Sequence, residues 1–122
     1  MYNKYPIIVF EGVEGSGKTY HIKNIEKYLK KKKIKYIKFR EPGGSNNSEK
    51  IRRIILSNSS NFHKLTDLFL YMASRNENIQ NIFKENYKKK VILIDRFKDS
   101  TIAYQHFGMN INKNLIMNLN NI

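Results

Sequence analysis

The chain has 122 residues, with 23 basic against 10 acidic side chains and a formal net charge of +13, and its length leaves room for one domain only. An apolar share of 40%, with eight tyrosines and seven phenylalanines, is enough to build a core and argues against the disordered class. The absence of cysteine excludes disulfides, thiolate metal sites and a cysteine nucleophile.

The spacing of apolar residues predicts strands and helices that alternate along the chain. The first elements are a strand over Tyr5–Phe10, a helix from Thr19 to about Lys32, a strand over Ile34–Phe39 and a helix that begins at Ser48. They are followed by a long helix from Lys64 to about Tyr87, a buried strand over Val91–Ile94, a helix from Ser100 to about Phe107 and a helical stripe of Ile111, Leu115, Leu119 and Ile122. Such alternation predicts an α/β fold with a parallel sheet and helices on both faces.

A glycine-rich stretch lies between the first predicted strand and the first predicted helix. It fits G-x-x-x-x-G-K-[ST] and consists of Gly12, Val13, Glu14, Gly15, Ser16, Gly17, Lys18 and Thr19. Backbone N–H groups of such a loop bind phosphate oxygens, and the helix N-terminus adds partial positive charge. Lys18 would then contact the β- and γ-phosphates of ATP, and the Thr19 hydroxyl would ligate Mg²⁺. A plain glycine turn is the alternative, but it gives no reason for the Lys-Thr pair.

Asp95 follows the buried run Val91–Ile94 directly. Its carboxylate should lie at the carboxyl edge of the sheet, where ligands bind in such folds, and a Walker-B-like role toward Mg²⁺ follows. The alternative is a helix N-cap, because aspartate often caps the helix after a strand. The run Arg40–Gly44 ends the second predicted strand at the same edge and can equally be a turn with a charged rim.

The positive charge comes mainly from lysine, which outnumbers arginine 18 to 5. Lysine, asparagine and isoleucine all have AT-rich codons, so this bias indicates a drifted surface rather than a nucleic-acid footprint, and nucleic acid is not an expected partner. The arginines retained at Arg52, Arg75 and Arg96 point instead to bidentate recognition. The sequence shows no signal peptide or membrane span, so we expect a cytoplasmic protein.

Four motifs stand in a fixed order. They are the phosphate loop, Arg-Glu-Pro-Gly-Gly from Arg40, Leu-Tyr-x-Ala-x-Arg ending at Arg75, and Asp-Arg-Phe-x-x-Ser-Thr-x-Ala-Tyr-Gln from Asp95 to Gln105. In order and spacing they closely resemble the thymidylate kinase family, from Ile7 to about Gly108. The resemblance implies a single P-loop NTPase-like domain over residues 1–122 that transfers the γ-phosphoryl group of ATP to dTMP with Mg²⁺, giving dTDP for dTTP synthesis. It also allows a homodimer.

The resemblance further implies roles for individual residues. The expected catalytic group is Lys18, Asp95 and Arg96, and the expected metal ligands are Thr19 and Asp95. Glu14 falls where an acidic loop residue faces the dTMP ribose and its 3′-hydroxyl. The expected substrate contacts are Arg52 and Arg96 on the dTMP phosphate, Tyr71 stacked on thymine, Arg75 on the base edge, and Thr101 and Gln105 in the base pocket. No catalytic base is needed, because the acceptor is an ionised phosphate.

Two departures from the family pattern affect the expected activity. Gly15 stands where some members carry an arginine, which resembles the bacterial class whose catalytic arginine comes from a mobile lid. That lid and two further strands would lie beyond Ile122, so we expect an N-terminal portion of the kinase, incomplete after the third strand and its helices, whose first strand has an open edge. The alternatives are another nucleoside monophosphate kinase and a catalytically impaired nucleotide-binding or basic nucleic-acid-binding module.

Overall fold

The computed structural model describes residues 5–57 and 59–121. Its strands and helices are β1 (Ile7–Phe10), α1 (Lys18–Lys31), β2 (Tyr36–Arg40), α2 (Asn46–Leu56), α3 (Lys64–Asn78), α4 (Lys84–Asn86), β3 (Val91–Asp95), α5 (Lys98–Thr101) and α6 (Lys113–Asn120). Two π-helical segments, Ile79–Phe83 and Ile102–Gly108, follow α3 and α5. Within the described ranges, no helix is both long enough and apolar enough to cross a lipid bilayer.

The three strands form a parallel sheet in the order β1-β3-β2. Phe10 and Arg40 both pair with Asp95, so the strands end at the same level and the loops that follow them share one edge. The central strand is buried from Val91 to Ile94, as a continuous apolar run in a parallel sheet predicts.

Helices cover both faces of β3, as the alternation of elements predicted. On one face Val91 and Leu93 pack with Leu29 of α1. On the other face Ile92 and Ile94 form a cluster, packed with Phe39 of β2 and with Ile82 and Phe83 of the first π-helical segment. A third cluster joins α3 to the C-terminal helices and is built on Leu68, Ile111 and Ile116. The predicted α/β class with a parallel sheet is confirmed.

The predicted start of the second helix was wrong by two residues. The helix begins at Asn46, because Ser45 is the N-cap and its Oγ accepts from the Ser48 backbone N–H at 3.4 Å. Ser48 is fully buried inside the helix, where its hydroxyl donates to the Ser74 carbonyl at 2.6 Å. Both serines suit a cap, and only the packing against α3 separates their roles.

Two predictions near the C-terminal end also needed correction. The helix after β3 begins at Lys98 rather than Ser100, and the last helix covers only Lys113–Asn120. Ile111 of the predicted stripe is buried but precedes that helix, and Ile122 lies outside the described residues. The fully buried residue of the helix is Ile116, which the predicted stripe omitted.

Strand β1 is bonded on one side only within the described ranges. Ile7 and Val9 share a register and a face with the fully buried Ile92 and Ile94, yet they are 38% and 40% exposed. The expected open, apolar edge is therefore present in this chain. Unpaired strand edges of this kind promote association.

We expect Val9→Lys to reduce self-association of the 122-residue chain, because an edge lysine opposes strand pairing. Sedimentation velocity over a wide range of concentration measures the effect. Tyr28→Lys, at an exposed aromatic on α1, is the matched control and should associate like the parent. Equal association of the Val9→Lys variant and the parent would rule out β1 as the contact.

Candidate functional site

The phosphate loop joins β1 to the N-terminus of α1. Gly15 and Gly17 have φ angles of 78° and 84°, in the left-handed region that favours glycine, and Gly17 is the N-cap of the helix. The loop residues Val13–Tyr20 and the side chain of Arg96 line a cleft of about 520 Å³. The loop, the N-terminus of α1 and Arg96 thus surround one space that suits phosphate groups.

Lys18 and Asp95 form an ion pair between the loop and the end of β3, in which Lys18 Nζ donates to Asp95 Oδ1. Asp95 is not a helix cap, because α5 begins three residues later and has Phe97 at its N-cap position. The N-cap alternative for Asp95 is therefore wrong. The carboxylate belongs to the loop site.

Thr19 and Asp95 both line a side pocket of about 370 Å³ beside the loop cleft. A hydroxyl and a carboxylate are hard oxygen donors of the kind that Mg²⁺ takes. Within residues 5–57 and 59–121, no group of three acidic, histidine or cysteine side chains could hold a metal by itself. The donor set fits an ion that also takes phosphate and water ligands, as Mg²⁺ does in nucleotide sites.

A second cleft, of about 330 Å³, opens between the loop and the turn after β2. Its charged side chains are Glu14, Lys18, Arg40, Glu41, Arg52, Asp95 and Arg96, and Tyr71 lies beside them. Arg52 is held by Nη1, which donates to the Pro42 carbonyl at 2.8 Å. Its pKa is lowered, first by desolvation and then by the charge of Arg40, so an anion bound here would relieve repulsion between the guanidinium groups.

Arg96 borders two of the clefts, the loop cleft and the second cleft, and the cavity described below. Its φ of 70° lies in the left-handed region, its backbone N–H donates to the Phe10 carbonyl at 2.9 Å, and its guanidinium lies 5.5 Å from the Tyr104 ring centroid. A non-glycine residue adopts this conformation at a cost in free energy, and residues held in such conformations are enriched at functional sites.

Behind the second cleft lies a narrow cavity of about 30 Å³, lined by Glu41, Pro42, Tyr71, Arg75, Arg96, Phe97, Ser100, Thr101, Tyr104 and Gln105. Arg75 is only 5% exposed, and its guanidinium lies 4.7 Å from the Phe97 ring centroid. The structure brings together the four residues predicted to face the base, which are Tyr71, Arg75, Thr101 and Gln105.

Most of the N–H donors of Arg75 are already engaged. Nε and Nη2 both lie 2.7 Å from Glu41 Oε2, and Nη2 donates to Thr101 Oγ1 at 2.9 Å. Nη1 donates to Asn120 Oδ1. Arg75 is thus the centre of a buried network, with little hydrogen-bonding capacity left for a base edge.

Two buried acceptors in the same cavity have no hydrogen-bond partner in the described structure, Glu41 Oε1 and Gln105 Oε1. Burial raises the pKa of the Glu41 carboxyl above its ordinary value, and the charge of Arg75 opposes that rise. An unpaired buried acceptor is costly in the free protein. Together these atoms suit a ligand that brings an N–H donor into the cavity.

The turn that carries Glu41 is fixed to α3. Asn78 Nδ2 donates to the Gly43 carbonyl at 2.6 Å, and the Ser45 N–H donates to Asn78 Oδ1 at 2.9 Å. Gly44 has a φ of 117°, and a Cβ there would come within 2.7 Å of Asn78 Oδ1, so a larger residue does not fit. The turn after β2 therefore positions Glu41 against Arg75 of α3.

Sequence reasoning missed the partners in this site. Asn78 and Asn120 gave no signal, because 16 asparagines are scattered along the chain. Glu41 could have been found, as an acid in the Arg-Glu-Pro-Gly-Gly turn that the topology places opposite a retained arginine.

The parallel sheet and its phosphate loop place the chain in the P-loop NTPase class. The family model for thymidylate kinase matches residues 10–122, and the chain belongs to the thymidylate kinase family. It is 42% identical over 114 residues to a thymidylate kinase of Thermosipho africanus, covering 93% of this chain and 57% of that protein. It is 42% identical over 120 residues to one of Clostridium novyi, covering 97% of this chain and 58% of that protein.

A crystal structure of thymidylate kinase from Ehrlichia chaffeensis superposes with a TM-score of 0.85 at 35% identity, covering 98% of this chain and 66% of that one. The chain therefore spans somewhat more than half the length of the curated relatives it matches.

The raised pKa of Glu41 predicts a pH dependence of stability. A carboxyl whose pKa is raised on folding stabilises the fold below its unfolded pKa, near 4.5, and that contribution is lost as the pH rises through the folded pKa. We expect the free energy of unfolding of the parent, minus that of Glu41→Gln, to fall as the pH rises from about 4.5. Urea denaturation of both proteins across this range measures the difference.

Glu26→Gln is the matched control, because a hydrogen bond from Lys38 lowers the pKa of Glu26. The contribution of Glu26 is present above 4.5 and is lost as the pH falls, so the corresponding difference should rise with pH. A difference that rises with pH for Glu41 as well would show that the attraction of Arg75 outweighs burial.

Proposed function

We propose that this chain carries the nucleotide sites of a thymidylate kinase, which transfers the γ-phosphoryl group of ATP to dTMP and forms dTDP. The observation that carries the proposal is the meeting of two clefts at Glu14, Lys18 and Arg96, which line both of them. One is built on a phosphate loop, and the other is lined by arginines and leads to a cavity with unpartnered acceptors. Family membership supports the choice of substrates.

On the donor side, the loop Gly12–Thr19 binds the ATP phosphates through its backbone N–H groups. Lys18 exchanges its ion pair with Asp95 for contacts to the β- and γ-phosphates. Thr19 and Asp95 hold Mg²⁺, which when bound neutralises charge on the phosphates.

On the acceptor side, Arg52 and Arg96 bind the dTMP phosphate in the second cleft, and Glu14 faces the ribose. Tyr71 lines both this cleft and the cavity behind it, which suits a ring stacked on the base. Thr101 and Gln105 lie at the base, and Gln105 Oε1 accepts from the thymine N3–H. Because most donors of Arg75 are engaged, we assign it mainly to holding Glu41 and Thr101 in place.

The cavity as it stands has room for little more than one water molecule, about 30 Å³. A pyrimidine ring can enter only if the surrounding side chains move apart. Tyr104 and Tyr71 are the aromatic residues of the lining that also border open clefts. The base would therefore enter the cavity when the side chains of Tyr71 and Tyr104 move aside.

Transfer between two phosphates depends on position and charge, and needs no general base. Lys18 and Arg96 are the cations that line both the loop cleft and the second cleft. Gly15 supplies no charge, so a lid arginine outside these residues remains the expected source of the catalytic guanidinium. A single domain and a homodimer remain part of the proposal and rest on the resemblance, and a cytoplasmic location remains the expectation from the sequence.

The second candidate is a nucleotide-binding fragment that binds both nucleotides but transfers phosphate slowly. The absence of an arginine in the loop, at Gly15, favours it. An arginine finger is worth about a thousandfold or more in rate. Measuring both the affinities and the rate of dTDP formation separates the two candidates, because the second candidate would bind dTMP and ATP normally but form dTDP slowly.

For the donor site, we expect Lys18→Ala to weaken ATP binding in the presence of Mg²⁺ about tenfold or more, because a charged contact among phosphates is lost. Isothermal titration calorimetry measures the affinity. Lys27→Ala, at an exposed lysine of the same helix, should bind ATP like the parent. Unchanged affinity in the Lys18→Ala variant would contradict the assignment of the loop.

For the acceptor site, we expect Gln105→Leu to lower dTMP affinity by about 1–2 kcal/mol without lowering stability, because Gln105 Oε1 has no partner in the free protein. Calorimetry with dTMP, dCMP and dAMP, beside urea denaturation, checks both expectations. Gln80→Leu, at an exposed glutamine, is the control. Equal binding of the three nucleotides to the parent would refute selection for thymine.

A further inference from the structure

Glu11 links the start of the phosphate loop to the helix that follows β3. It is the first residue after β1, directly before Gly12. Its Oε1 accepts from the Phe97 N–H at 2.8 Å and from the Ser100 N–H at 3.4 Å, and its Oε2 accepts from the Ser100 hydroxyl. The partners are 86 and 89 residues away along the chain.

These contacts satisfy two backbone N–H groups at the start of α5, those of Phe97 and Ser100. The N-cap residue of that helix, Phe97, provides no side-chain hydrogen bond. Helix N-termini need an acceptor, and a carboxylate there also interacts favourably with the helix dipole. Glu11 therefore acts as the missing cap, supplied by the residue that follows β1.

The capped segment carries much of the acceptor site. Thr101 ends α5, Gln105 lies in the π-helical segment that continues it, and Arg96 precedes it. Apart from the Glu11 contacts, the loop start and α5 face each other across a cleft of about 260 Å³. The hydrogen bond from the Arg96 N–H to the Phe10 carbonyl is a second contact between the end of β1 and the segment after β3.

We propose that Glu11 is a positioning residue that sets the acceptor-binding segment against the phosphate loop. This inference rests on the proposed function, since it concerns the alignment of the dTMP site with the ATP site. The Glu11 carboxylate is bonded toward α5 and does not line the loop cleft. Its loss should therefore weaken the acceptor site more than the donor site.

A purely structural role predicts a different result. A cap that only stabilises the fold would, when removed, lower the unfolding free energy while the folded molecules kept both affinities. A positioning role lowers dTMP affinity in fully folded protein and leaves ATP affinity unchanged. The ratio of the two affinities, measured well below the unfolding temperature, distinguishes these roles.

The test compares Glu11→Ala, Glu11→Gln and Ser100→Ala with the parent, and uses Glu26→Gln as a matched loss of one carboxylate. We expect Glu11→Ala to bind dTMP about tenfold more weakly and ATP within about twofold of the parent. Glu11→Gln retains an acceptor oxygen and should recover part of the dTMP affinity. Hydrogen exchange should show loss of protection at the Phe97 and Ser100 amides in Glu11→Ala only.

Equal dTMP affinity in Glu11→Ala and the parent would overturn the inference, and so would an equal loss of both affinities. If the parent itself fails to bind dTMP, the proposed function fails. The amide exchange of Phe97 and Ser100 then still tests the cap, and unchanged protection in Glu11→Ala would overturn the inference independently.

Discussion

The register of β3 between its two neighbours is the constraint on which the site depends. Because Phe10 and Arg40 both pair with Asp95, three loops leave the sheet at one level. The phosphate loop, the turn that carries Glu41 and the segment that begins with Arg96 are thereby brought to one edge. The ends of the buried apolar run of β3 limit this register, since a shift by one residue would draw the charged side chain of Lys90 or Asp95 toward the buried part of the sheet.

The ion pair between Glu41 and Arg75 is the next interaction on which the geometry of the site depends. It joins the turn after β2 to α3, and Arg75 reaches onward to Thr101 and Asn120. Breaking a buried pair by removing one partner costs about 3–5 kcal/mol, so Arg75→Ala would test folding as much as binding. The oxygens of Glu41 and Gln105 that lack a protein partner are better markers of the ligand, because both line the cavity and can accept a hydrogen bond from a bound group.

The sequence predicted the fold class and the main motif residues because they rest on local patterns: apolar runs, a glycine loop and motifs at fixed spacing. It could not predict Glu11 as a cap or Asn120 as a partner of Arg75, because each contact joins residues far apart and neither residue type is unusual in this chain. The prediction of a helix boundary was wrong where only tertiary packing distinguishes two residues of the same type, as with Ser45 and Ser48.

Part of the positive charge lies at two opposite edges of the sheet. One run of lysines precedes β2 and consists of Lys32, Lys33 and Lys35, and a second run, Lys88–Lys90, precedes β3. The Val91 N–H donates to the Lys35 carbonyl, so the two runs lie side by side at the amino edge of the sheet. Arg40, Arg52, Arg75 and Arg96 line the clefts at the carboxyl edge. The planar fork of arginine matches phosphate geometry, whereas a lysine ammonium is a flexible, strongly hydrated point charge. The net charge of this chain and the chemistry of its site are therefore separate properties.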